Sequence, residues 1–215
     1  LSSITTNGFT GELLITTNDN DSPADVEYVA DVTIDGGTTN LIIGTSTIDG
    51  ALNLLSGGTI TDTNSSTVTV LKNLSVTTDA SNSAITLDGL AVTGSIGLTT
   101  HGNGNATVVN ASAIDFATST SGGQMNATAR GPITQSGVIT TGAQSTWWAR
   151  STGGTDYDIT LENTSNNFVE KLIIRAANVS IKDTGTTKIG ATIVSGNFAL
   201  TTTGEVTDSG NMNIE

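Results

Sequence analysis

There is no cysteine in the 215 residues, which excludes a disulfide framework, thiolate metal ligation and thiol catalysis. Aromatic residues make up only 4% and hydrophobic residues 35%, too little for an ordinary globular core of this length. Charged residues are also scarce at 13%, so the chain lacks the charge-rich signature of disorder. Seven Lys and Arg face twenty Asp and Glu, for a net charge of −13 and a pI near 4.1. Such a chain has no phosphate-binding footprint, which argues against nucleic acid and anionic membrane surfaces as partners. No apolar run approaches the ~20 residues of a membrane span, so no membrane insertion is expected within this segment. Only two prolines interrupt the chain, leaving nearly every backbone amide free to pair.

What fills the sequence is Thr, Ser, Gly, Asn and small aliphatics. Thr and Val favour the pleated backbone, while Gly and Asn suit tight turns. The local signal has period two, as in Val32-Thr33-Ile34, Val68-Thr69-Val70, Leu74-Ser75-Val76, Ile85-Thr86-Leu87 and Val179-Ser180-Ile181. Each triplet is short and is punctuated by Gly, Asn or Asp, so these read as strands, with essentially no helix anywhere.

The chain also repeats itself. Gly58-Thr59-Ile60-Thr61-Asp62-Thr63 returns as Gly131-Pro132-Ile133-Thr134-Gln135-Ser136 and again, at the same interval, as Gly204-Glu205-Val206-Thr207-Asp208-Ser209. A second marker keeps that interval at Gly50-Ala51-Leu52, Gly123-Gln124-Met125 and Gly196-Asn197-Phe198. The period divides residues 1–215 into a divergent partial copy (1–57), copies 58–130 and 131–203, and the start of another at 204–215. Propeller blades bring aromatic signatures and periods nearer ~40–50 residues, so a solenoid fits better. The expectation is one continuous all-β, parallel β-solenoid of about nine coils. Each copy would make three coils of ~24 residues rising ~4.8 Å, with the marker glycines in one column. Like residues would stack on like, so the core can be thin and aliphatic, and a charge repeated on every coil would repel its neighbour.

The phrases Gly131-Pro132-Ile133-Thr134-Gln135-Ser136-Gly137, Asp158-Ile159-Thr160-Leu161-Glu162-Asn163, Asn166-Asn167-Phe168 and Asn178-Val179-Ser180-Ile181 occur in that order. There the sequence resembles the repeats of filamentous-haemagglutinin-like adhesins, the large surface exoproteins of two-partner secretion. The match is best over 131–215, fainter over 44–130, and rests on composition and alternation alone over 1–43. The resemblance implies a right-handed parallel β-helix, located extracellularly or on the outer-membrane-associated bacterial surface. It implies a stalk role with no catalytic residues. The chain opens within Thr/Ser-rich sequence typical of the rest and reads as a piece of something longer.

Several residues carry both a functional and a blander reading. One period earlier in the chain, Trp147 corresponds to Leu74, inward, and Trp148 to Ser75, outward, where an indole could contact a sugar ring or another chain. Asp19, Asp21 and Asp25 lie in an oxygen-rich run that could hold Ca²⁺, but the Gly and bidentate Glu of a calcium loop are missing, so a solvated loop is favoured. Asp62 and Asp208 recur in phase with Gln135 between them, and His101 is the lone histidine in a turn-like His101-Gly102-Asn103-Gly104 stretch. These fall short of an acid–base constellation, so no enzyme activity and no cofactor are expected. Asn-x-Ser/Thr triplets at Asn64, Asn73, Asn105, Asn110, Asn126, Asn163 and Asn178 are weak signals in a chain of this composition.

The function expected is a rigid adhesin stalk. Its partners would be neighbouring repeats or copies of the same protein, and host or environmental surface glycans. The rivals are a filament subunit stacked end to end, and a glycan-binding or polysaccharide-degrading β-helix module.

Overall fold

The computed structural model describes residues 2–4, 8–17 and 30–215. Two 13-stranded parallel sheets face each other, and the chain shuttles between them along its whole length. The described residues contain no helix. Ten strands lie on the main path of each sheet, giving nine steps from first to last. This is the all-β, parallel solenoid of about nine coils that the alternation predicts.

Inward and outward positions follow the period-two pattern. Val32, Leu52, Leu74 and Ile96 stack in register in the first sheet, and Leu41, Ile60, Ile85 and Ala106 do so in the second. One continuous apolar cluster runs from Val32 to Val194. It is aliphatic except across three successive coils, where Trp147 packs edge-on against Phe116 and Phe168, with ring centroids 5.5 and 5.8 Å apart. Trp147 is fully buried, and its indole N–H donates to the buried Ser145 hydroxyl at 3.0 Å.

The repeat and the coil do not coincide. Gly58 leads into strand Ile60–Asp62 of the second sheet, Gly131 into Ile133–Gln135 of the first, and Gly204 into Val206–Asp208 of the second. Between successive markers the chain crosses seven times, so one period makes three and a half coils rather than three. The marker glycines therefore do not form one column; they alternate sides. The reason is the length of a crossing. A short strand and its corner consume about ten residues, so a coil closes in 19 to 22 at most levels, as in Ile114↔Ile133 and Leu52↔Leu74. The longer step Ile133↔Ile159 includes an excursion at 150–158.

Close approach at the corners explains the recurring glycines. A Cβ at Gly58 would fall on the Asn40 side chain, at Gly131 2.9 Å from the Ala113 nitrogen, and at Gly204 2.5 Å from the Gly185 carbonyl carbon. The recurring Asn and Asp have an equally local cause. Standing just before a strand, each uses a side-chain oxygen to accept the N–H of the next coil: Asn40 from Thr59 at 2.9 Å, Asn73 from Ser95 at 3.0 Å, Asn105 from Gln124 at 2.8 Å, and Asn178 from Asn197 at 2.9 Å. The next residue points inward and the Ser or Thr after it outward, so Asn73, Asn105 and Asn178 spell their triplets as a by-product of coil capping.

Candidate functional site

A trough lies on the outer face of the second sheet. It measures about 440 Å³ and runs along the axis from Thr67 past Asp88, Gly89 and Leu90, then Val109 and Ala111, then Arg130, to Ser151 and Thr152. Parallel stacking brings these residues together. Leu90 pairs with Asn110 and Asn110 with Ala129, which sets 88–90, 109–111 and 130 on successive coils. Val109 and Ala111 give it an aliphatic floor above the buried Leu90, and hydroxyls, one carboxylate and one guanidinium stand along it.

Each end of the trough has its own support. At the Thr67 end, the Asp62 carboxylate accepts the N–H groups of Asp88 at 3.1 Å and Gly89 at 2.7 Å, holding a bulge where the register shifts between Leu87 and Leu90. Gly89 is required there, because a Cβ would overlap the Ser66 carbonyl oxygen. Burial raises the Asp62 carboxyl above its ordinary value of 3.8, an effect the two backbone N–H bonds oppose. The Ser66 hydroxyl beside it is buried with no hydrogen-bond partner.

At the other end, Arg150 leads into the excursion. Its guanidinium meets Asp156 Oδ1 at 2.6 Å, and Arg175 Nε approaches the same oxygen at 3.3 Å. Arg130 differs from both. Its Nη1 donates to the Arg150 carbonyl oxygen at 3.2 Å, and among the described residues it forms no ion pair. Trp148 stands on the same outer face, 45% exposed, between Thr128 and Arg175 in register.

The other residues singled out in the sequence are dispersed. Asp62 and Asp208 both sit on the second sheet but are seven coil steps apart, while Gln135 lies on the first sheet between them. Gln135 belongs to a corner network in which its Nε2 donates to Asn166 Oδ1 at 2.9 Å and Asn166 Oδ1 also accepts the Ile139 N–H at 3.0 Å. His101 ends the strand Ser95–His101, and its Nδ1–H donates to the Thr78 carbonyl oxygen at 2.8 Å. Asn110 is fully buried and bonds Val92 and Ala113, which removes it as an acceptor for glycans. Asp19, Asp21 and Asp25 lie outside the described residues. Among the described residues no group of three or more His, Cys, Asp or Glu is placed to hold a metal ion. Sequence reasoning missed the trough altogether, because its residues come from separate coils and lie far apart in the chain.

Fold and surface define this chain as a repeat β-solenoid. It belongs to the family described as "Repeats of unknown function (DUF5649)", which matches residues 103–174 and 176–215, together just over half the chain. The two matches begin at 103 and 176, the same interval that separates the marker glycines. No curated protein and no solved structure matches the chain significantly.

Proposed function

We propose that the chain is a structural segment of a large bacterial surface-exposed or secreted adhesin, acting as a stiff stalk without enzymatic activity. The observation that carries this reading is the unbroken parallel ladder, nine steps long in both sheets, wrapped around one continuous core. Each coil contacts mainly its neighbours, so length is added without a new core design, and an axial load is shared among many backbone hydrogen bonds. Side faces built of paired strands leave few open edges for proteases or stray partners. The phrases at 131–137, 158–163 and 178–181 support the same assignment through their resemblance to filamentous-haemagglutinin-like repeats.

The test is immunolabelling of the source cells with antibodies against this chain, before and after permeabilisation, together with mild protease shaving. Labelling of intact cells that shaving removes is expected. Labelling that needs permeabilisation overturns the surface assignment.

A further inference from the structure

We propose that the trough on the outer face of the second sheet binds a linear oligosaccharide that carries a carboxylate, with Arg130 as its anion contact. The proposal goes beyond the stalk reading and does not rest on it.

Charge favours an anionic ligand. In a chain of net charge −13, a part-buried guanidinium without a carboxylate partner is conspicuous, since Arg150 and Arg175 already share Asp156. The planar fork of Arg130 suits a carboxylate from outside the chain. The surface chemistry of the trough suits a sugar. Val109 and Ala111 offer aliphatic surface to the apolar faces of sugar rings, while Thr67, Asp88, Ser151 and Thr152 offer hydroxyls and a carboxylate to sugar hydroxyls. The volume of about 440 Å³ lies within the usual range for ligand sites. The spacing of the coils matches a sugar chain. Coils rise ~4.8 Å, close to the length of one hexose in an extended chain, so successive rings would meet successive coils. Asp88 and Arg130 stand two coils apart, roughly 10 Å, which would orient the ligand with its carboxylate toward Arg130.

An acidic peptide is the poorer fit. Extended peptides are captured by unpaired strand edges, and the strands beside this trough, Ile85–Val92, Ala106–Asn110 and Met125–Ala129, each have a paired neighbour on both sides. The site also belongs to one place in the rod rather than to every copy. The positions equivalent to Arg130 in the flanking copies are Gly57 and Thr203, neither of which can replace the guanidinium.

Isothermal titration of the 215-residue chain with tetragalacturonate at low salt tests the proposal. Binding is expected, at least ~10-fold weaker for Arg130→Ala and at least ~10-fold weaker for a neutral glucose tetrasaccharide. Ala111→Glu, which adds a carboxylate to the exposed trough floor, should abolish binding without moving the melting temperature, and it serves if Arg130→Ala does not fold. Absence of binding to tetragalacturonate, equal affinity for the neutral tetrasaccharide, undiminished affinity in either variant, or tighter binding of oligoglutamate than of tetragalacturonate overturns the proposal. Immunolabelling of cells reads none of these outcomes, so the stalk assignment and the trough stand or fall separately.

Discussion

Leu74 and Trp147 hold the same place in successive copies of the repeat, and both are fully buried, but Leu74 enters the core from the first sheet and Trp147 from the second. Their neighbours Ser75 and Trp148 both face outward, on opposite sides of the rod. Asn110 and Asp183 make a second such pair. Both are buried at a corner, and each accepts the N–H of a residue on the previous coil, Val92 at 2.8 Å and Phe168 at 2.9 Å. In these two pairs, successive copies therefore share depth and corner chemistry while occupying opposite faces. The two properties are set by different periods. Depth follows the parity of residues along a strand, whereas the face follows the parity of crossings, and seven crossings is odd. A feature carried by every copy would appear alternately on the two sides, three and a half coils apart, roughly 17 Å along the axis.

The largest effect is expected at the aromatic cluster. Trp147→Ala should cost about 3–5 kcal/mol, at or above the cost of Leu74→Ala, because it leaves Phe116 and Phe168 without their shared partner. Urea midpoints followed by far-UV circular dichroism decide it, and a Trp147→Ala midpoint above that of Leu74→Ala would show that the aromatic cluster adds nothing.

A smaller effect is expected at Asp62, whose equivalent in the next copy is already an amide, Gln135. Burial raises the folded-state carboxyl above 3.8, so the fold favours the protonated form. Its contribution to stability is fully present below the unfolded value and is lost as pH rises through the folded one. The melting temperature of the parent, compared with Asp62→Asn at each pH, should lose ground as pH climbs from about 3.8 upward. A pH-independent difference between the two would remove Asp62 as the titrating group.

The smallest change expected is Trp148→Ser, which restores the residue found at position 75 of the preceding copy. Stability should move by no more than about 0.5 kcal/mol, since the indole is 45% exposed and covers little. A larger loss, read from the same urea titration, would mean that the ring supports the Arg150–Asp156–Arg175 group on that face.

Much of the architecture was legible in the amino-acid order. Alternating triplets such as Val179-Ser180-Ile181 became strands with one buried face, and the spacing of Gly58, Gly131 and Gly204 marked a true internal period. The number of coils per period was not legible. Residues can be counted along a sequence, but crossings depend on how tightly each corner closes, and Gly131-Pro132 looks the same whether it leads to the first sheet or the second. The in-phase acids suggested a relationship between Asp62 and Asp208 that seven coil steps dissolve. Asp88, Val109 and Arg130 carry no common motif, and nothing in their order marks them as neighbours.

The sequence by itself determined that this chain would be a stack of short parallel strands, because inward and outward character is a property of adjacent residues. Only the tertiary structure decided which side of the rod each copy faces and which residues share a surface. Those depend on the angle accumulated around the axis, a sum over every corner that no single stretch of sequence contains.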